Sequence, residues 1–547
     1  MARGEADLVK PRAPALQLAV LVGVVALGHL SLIPNVADLD GFYHIGHAQA
    51  YLEGSLFDTS LPWATRSIIG DIGGDLWWGF HVLLLPFAAL GSVPLGLQSA
   101  GIALTAVLGL SVMRILMRHG VDHAGWWAAL FLLAVPNVFF RHLMVRPHVI
   151  SLAASLALVS MLVRGRWWQV MLLSALIAWV HLSLFWVAPL LTVAYALARI
   201  PVTVLVGRDT PDTGVPIHQA IPAACAGVLL GWLLRPDALA TAELLNVQLV
   251  QLFTQKMVEQ PLTFAAELSP IRLSDLARST WSFLAAWLVG VALVVRSVAR
   301  GEIQRLGQSR ATLLVLCVVV STAFLGLALL SARRALEQWV AFGFLALPLL
   351  GPLWRGSTGE SEEAEWAAEG GIAGVRRLTT PVRGVLALLL GVHLLWFGQR
   401  HLLNKELVSF SAVTLEPVAQ YLIEHSEPDD LVFHARWDNF GPLFAFNRQS
   451  RYLGGMDPIF QYAHDARSYW EFFYLSADAT TEWTCDAYPC AAGNATDTYQ
   501  VLTEHFGAQW IVVQPYRNPL LSLYLLNDDR YEVAFETQSA ALFRILP

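Results

Sequence analysis

Asn35-Val-Ala-Asp-Leu-Asp-Gly-Phe-Tyr-His-Ile-Gly-His-Ala-Gln-Ala-Tyr-Leu-Glu-Gly54 follows directly on an apolar run at 15–34 that is long enough to cross a bilayer. Two carboxylates, Asp38 and Asp40, thus stand at a membrane surface, with His44 and His47 within the next two helical turns. A carboxylate beside a bilayer is costly unless it is solvated, paired or bound to a cation. A divalent ion, Mg2+ or Mn2+, shared with phosphate oxygens would satisfy such a pair. A solvated helix start with Asp40 as N-cap would satisfy it equally.

The chain around this stretch is not that of a soluble protein. Of 547 residues, 56% are hydrophobic and 14% charged, against about 45–50% and 25% in soluble domains. The charge is unevenly spread. Residues 401–547 hold 8 Lys+Arg against 19 Asp+Glu, a balance of −11, and residues 1–400 hold 27 against 23, a balance of +4. An acidic, water-facing region therefore follows a hydrophobic one, and nothing in this distribution suits nucleic acid. Cys225 and Cys317 lie in apolar runs and read as core residues, whereas Cys485 and Cys490 flank Asp-Ala-Tyr-Pro in the acidic region, where a short disulfide fits an oxidising compartment.

Apolar runs at 15–34, 98–117, 124–140, 148–163, 167–180, 182–198, 218–234, 280–298, 311–331, 335–353 and 381–398 predict eleven transmembrane helices. With eleven spans, Arg114 and Arg118, Arg164 and Arg166, Arg199 and Arg208, Arg296, Arg300, Arg305 and Arg310, and Arg355, Arg376, Arg377 and Arg383 all fall on the cytoplasmic side with the N-terminus. A crossing at 76–89 would invert everything before it or everything after it, so that segment is predicted to be re-entrant or interfacial. Arg333 and Arg334 then lie outside, against the bias. The expectation is a transmembrane domain over 1–400 with a long first external loop at 35–97, and a non-cytoplasmic soluble α/β domain over 401–547. Strand-like runs at 430–436, 509–514 and 541–546 alternate there with helix-like spacing at 413–425 and 497–506. The expected location is a bacterial inner or plasma membrane.

Asp40-Gly-Phe-Tyr-His-Ile, with the Ala-Gln-Ala-Tyr-Leu-Glu-Gly that follows, resembles the first-loop signature of the GT-C superfamily, integral-membrane glycosyltransferases that use polyprenyl-phosphate-linked sugars. It is most similar to the catalytic subunit of oligosaccharyltransferase, in which a comparable Asp-x-Tyr-Tyr-His run opens the first external loop. The resemblance implies that Asp40 coordinates a divalent cation and helps activate the acceptor, with Asp38 beside it and His44 near the substrate. Asp75, in Gly70-Asp-Ile-Gly-Gly-Asp-Leu-Trp-Trp-Gly-Phe-His81, is a second metal-ligand candidate; an ordinary turn explains it as well.

Other family elements match less closely. The next external stretch, Phe140-Arg-His-Leu-Met-Val-Arg-Pro-His148, holds no carboxylate, and Arg141, Arg146 and His148 are instead suited to phosphate. Met257-Val-Glu-Gln-Pro261 resembles part of the oligosaccharyltransferase's flexible loop, and Glu259 and the nearby Glu267 are the candidates there. Arg436-Trp-Asp-Asn-Phe-Gly441 is similar in placement to the WWDYG motif that recognises the acceptor sequon. Trp437, Asp438 and Gly441 match, while Arg436 stands where the first Trp belongs. His181, alone at a span boundary, reads as structural.

The expected function is transfer of a sugar or glycan from a polyprenyl (pyro)phosphate carrier to a protein, glycan or lipid acceptor on the non-cytoplasmic face. A true oligosaccharyltransferase acting on Asn-x-Ser/Thr is the alternative enzyme. A lipid-glycan transporter or flippase is the alternative of another class, against which stand the external position of the carboxylates and the absence of a visible repeat.

Overall fold

The computed structural model describes residues 12–206, 213–258, 262, 265–354 and 380–547. Among them six helices are long and apolar enough to span a bilayer: Ala15–Leu32, Val93–Arg118, Pro147–Arg164, Leu182–Val206, Leu273–Ala299 and Glu302–Leu330. Two bent helix pairs raise the number to eight if each is one span. The 381–398 run lies in the 29-residue helix Thr380–Val408, and the runs outside these helices are broken or short for identifiable reasons. The 124–140 run breaks into Ala124–Leu132 and Pro136–His142, bent by 98°, where Pro136 lacks the N–H a continuous helix needs. The 218–234 run ends at Arg235-Pro236-Asp237, with Asp237 in the left-handed region (φ 48°), and the chain turns 109° into Ala238–Lys256. Trp167–Val180 and Leu336–Leu349 are only 14 residues each, about 21 Å at 1.5 Å per residue. Trp78–Ala88, the segment predicted not to cross, is an 11-residue helix.

The C-terminal region is α/β. Ten short strands occur among the described residues: β1 (Asn35–Val36), β2 (Ala64–Thr65), β3 (Phe410–Ser411), β4 (Leu431–His434), β5 (Arg451–Leu453), β6 (Trp483–Cys485), β7 (Ala495–Asp497), β8 (Trp510–Val513), β9 (Tyr531–Glu536) and β10 (Ala541–Ile545). Six of them form one sheet in the order β2-β5-β4-β8-β10-β9. Side chains alternate across it as a pleated strand requires. Val432, Tyr452, Val512 and Leu542 join the large core shared with the membrane helices, and Phe433, Leu453, Ile511 and Phe543 form a second core on the opposite face. The β6–β7 hairpin carries the Cys485–Cys490 disulfide.

Hydropathy cannot reveal that the first external loop is built into this sheet. β2 pairs in parallel with β5, and β1 pairs antiparallel with β3. The helix Asp40–Glu53 is buried along most of its length, with Gly46 against Phe444 and the ring of Tyr43 6.3 Å from those of Phe440 and Phe444. The loop is thereby clamped between the membrane helices and the C-terminal region, and Asp38 and Asp40 are held where the two meet.

Candidate functional site

The helix Asp40–Glu53 sets the site. Leu39, not Asp40, occupies its N-cap position, so Asp40 is the first helical residue. Positions 40, 44, 47 and 51 recur at helical spacing and share one face, which carries Asp40, His44, His47 and Tyr51. Asp38 and Asp40 line a cavity of about 580 Å³ that is bounded by both membrane-side and C-terminal residues. Five carboxylates (Asp38, Asp40, Glu267, Glu337, Asp457) and four cations (Arg141, Arg146, Lys256, Arg334) line it among the described residues.

Arg146 is the hub. Its guanidinium donates to both oxygens of Asp38 at 2.5 and 2.6 Å, pairs with Asp40 at 2.9 Å and reaches Glu267 at 3.2 Å. Arg141 pairs in turn with Glu267 and Glu337, and His148 lies 3.4 Å from Glu337. A fork that meets several carboxylate oxygens at once is the geometry arginine supplies and lysine does not. Arg146 reaches this place because Pro147 starts a helix and holds it at the N-cap in extended backbone.

These charges set the local acidities. Burial raises the Asp40 carboxyl well above its ordinary value; Arg146 opposes the shift, and Asp38, Asp457 and Glu267 add to it. Burial would also raise Glu267, but Arg141, Arg146 and Arg334 outweigh it and hold that carboxyl below the usual range. Asp457 is raised by burial, with Glu267 adding. Burial lowers the His44 imidazole well below its ordinary value, with His81 adding.

Of the residues singled out from sequence, Asp38, Asp40, His44, Arg141, Arg146, His148, Glu267 and Trp437 line this one cavity. Asp438 pairs with Arg517 at 2.9 Å and Arg436 at 3.6 Å instead. Glu259 lies outside the described residues. Asp75 is not among the lining residues but lies against His47 and His81, in a His/Asp group whose donor atoms lie within 4.8 Å of one another. Asp40 and Asp75 thus occur in separate clusters. A divalent cation at Asp38 and Asp40 would have to displace Arg146, which already supplies the positive charge there, so these residues as arranged do not fit a resident ion.

Sequence reading missed Arg334, Glu337 and Asp457, and His181, read there as structural, also lines the cavity. Two of these had a signal. Arg334 is the charge that the positive-inside pattern leaves on the unfavoured side, and Glu337 is an acid at the start of an apolar run. The side chains of Arg334 and Asp457 make no ion pair or hydrogen bond among the described residues, and both face the cavity. Asp457 follows Gly454 (φ 76°) and Met456 (φ 58°), a turn at the end of β5 that points it inward; a non-glycine residue at such a φ stores strain.

No protein-family model matches the sequence, and no curated protein does. Solved structures do share the fold. They include the oligosaccharyltransferase of Archaeoglobus fulgidus in its apo form, with TM-score 0.56 and 10% identity over 95% of this chain and 72% of that one. ArnT from Cupriavidus metallidurans matches in its apo state with TM-score 0.53 and 10% identity, covering 97% and 98% of the two chains. Its complex with undecaprenyl phosphate matches with TM-score 0.54 and 11% identity, covering 97% of each. At such identity the likeness is one of architecture: the chain is an integral membrane protein with a GT-C-like fold.

Proposed function

We propose that the protein is a glycosyltransferase that moves a sugar or glycan from a polyprenyl (pyro)phosphate carrier to an acceptor on the non-cytoplasmic face of a bacterial inner or plasma membrane, with its N-terminus cytoplasmic and residues 401–547 on the acceptor side. The observation that carries this reading is the Asp38–Arg146–Asp40 cluster opening on a cavity that also presents Arg334 and Arg141. A carboxylate beside guanidinium groups is what displacement at a sugar–phosphate carbon needs. The base takes the acceptor's proton, and preorganised cations receive the charge that develops on the leaving phosphate.

In this reading Asp40 accepts the acceptor's O–H or N–H proton, the freed heteroatom attacks the anomeric carbon, and the bond from that carbon to the phosphate oxygen breaks with inversion. The bond's electron pair leaves on the phosphate, where Arg334, without a partner among the described residues, and Arg146 stabilise it. Arg146 has more than one carboxylate partner, so Asp38 retains it when one contact is exchanged for phosphate. Arg146 carries the charge that the first-loop resemblance assigns to a divalent ion at Asp40. Glu267, which shares Arg146 and Arg141, fixes the register of the two arginines.

Asp40→Ala is expected to abolish transfer from a lipid-linked donor while expression and folding are kept, and undiminished turnover would overturn the proposal. Mass spectrometry of surface glycans and glycoproteins, with and without the protein, identifies the acceptor. Trp437 at the cavity supports the alternative of an Asn-x-Ser/Thr acceptor. Arg436 in place of the first Trp, with Asp438 tied to Arg517, opposes it. Glycosylation of an Asn-x-Thr peptide by the purified protein would decide for that alternative.

A further inference from the structure

Where the helix Asp40–Glu53 packs against the helix Trp78–Ala88 lies a cluster to which the transfer reaction assigns no role. His47, Asp75 and His81 are 2%, 2% and 0% exposed, and one donor atom from each lies within 4.8 Å of the others. We propose that these three side chains form a buried site for one first-row transition-metal dication of the Zn2+ class, which fastens the helix Asp40–Glu53 to the helix Trp78–Ala88. The proposal does not rest on the transferase reading.

The argument is in the outer contacts. A metal-binding imidazole has its second nitrogen held by a partner, which fixes the tautomer and the ring's direction, and a ligating carboxylate is held in the same way. Each of the three meets this condition. His47 engages the hydroxyl of Tyr43 through Nδ1 at 3.2 Å, and its Nε2 is buried with no hydrogen-bond partner. His81 engages Nδ1 of His44 through Nε2 at 2.8 Å, which leaves Nδ1 turned to Asp75 at 2.6 Å. Asp75 accepts the backbone N–H of Trp77 on Oδ1 at 2.8 Å and the hydroxyl of Tyr51 on Oδ2 at 2.8 Å.

A shared proton along Asp75, His81 and His44 would account for two of these side chains. It leaves the Nε2 of His47 with nothing, and a buried, unpaired polar atom costs about 1–3 kcal/mol. An ion in place of the His81–Asp75 proton satisfies all three donors. Two imidazoles and one carboxylate are borderline ligands that favour zinc, cobalt, manganese or iron over magnesium or calcium. Because the site is closed to solvent, the ion enters as the chain folds.

The test uses the full-length chain, purified in detergent through a tag without histidines from cells grown with added Zn2+, Mn2+ and Fe2+. Elemental analysis is expected to find one ion per chain in the wild type and in Asp40→Asn, and its loss in His47→Gln and His81→Gln. Three results would overturn the proposal: wild type free of metal, full occupancy in both histidine variants, or loss in Asp40→Asn, which would put the ion in the cavity. If the histidine variants fail to fold, X-ray absorption on the wild type decides. Histidine nitrogens at about 2.0–2.1 Å support the site, and a shell of oxygen alone refutes it.

Discussion

Replacing Arg146 by Met removes the cation that Asp38, Asp40 and Glu267 share and leaves the cavity's packing nearly unchanged. Two unit charges about 4 Å apart interact by about 4 kcal/mol at the effective dielectric of a protein near its surface, and desolvation offsets part of this. Removing one partner of a buried pair has a net cost of about 3–5 kcal/mol. The Arg146, Asp38 and Asp40 side chains are 19%, 8% and 26% exposed, and the cavity admits solvent, so the lower end, about 3 kcal/mol, is the expected loss. The pH dependence tests the cause. Asp40 is already raised by burial and loses the guanidinium that opposes the shift, and Glu267 loses one of the cations that hold it down.

A carboxyl with a raised folded value stabilises the protein below its unfolded value, about 3.9 for Asp, and this contribution is lost as pH rises through the folded value. A carboxyl held low, as Glu267 is in the wild type, contributes above about 4.3 and loses its contribution as pH falls. Both terms widen the gap between variant and wild type at neutral pH and close it in acid. Thermal melts followed by tryptophan fluorescence in detergent, from about pH 3 to pH 8, are therefore expected to converge as pH falls. The double variant Arg146→Met, Asp38→Asn should recover part of the loss. A deficit independent of pH, or none, would refute the assignment of Arg146 as the counter-charge of these carboxylates.

The remaining expectations concern other parts of the cavity and the hairpin. Arg334→Gln removes a cation that faces the cavity without a partner among the described residues, and a lost charge-assisted contact of about 1.5–3 kcal/mol weakens donor binding about 10- to 150-fold; unchanged binding of undecaprenyl phosphate would exclude Arg334 from the phosphate site. Asp457 belongs to the region proposed to face the acceptor and lines the cavity, so Asp457→Ala is expected to raise the acceptor KM about 10-fold, equivalent to about 1.4 kcal/mol, without changing donor affinity; a change confined to donor affinity would contradict that placement. Cys485→Ser with Cys490→Ser opens a loop whose ends are 5 residues apart, and the chain-entropy cost of about 2 kcal/mol should appear as faster proteolysis around the β6–β7 hairpin.

How much of this was legible follows from what each signal measures. Hydropathy registers apolar length, so it marked membrane runs. It could not register the break at Pro136 or the turn at Asp237, where backbone geometry, not polarity, ends the helix. Local composition marked Asp38, Asp40, Arg141 and Arg146 because charge beside an apolar run is costly wherever it falls. It could not pair Arg146 with Asp38 across more than a hundred residues, nor separate Asp75 from Asp40, because both stand in the same loop and only packing directs Asp40 to the cavity and Asp75 to His47 and His81.

The sequence by itself determined a membrane-embedded chain, an acidic α/β C-terminal region and a carboxylate pair at the start of an external helix, since burial cost and periodicity are local properties. Only the tertiary structure decided that β2 of the first loop would complete the C-terminal sheet. It alone brought Asp457 and Arg334 from distant elements to the wall of Asp40's cavity, and gave Asp75 to His47 and His81 rather than to that cavity. Charges far apart in the chain are neutralised only where folding brings them within a few ångströms, and no spacing along the chain encodes that distance.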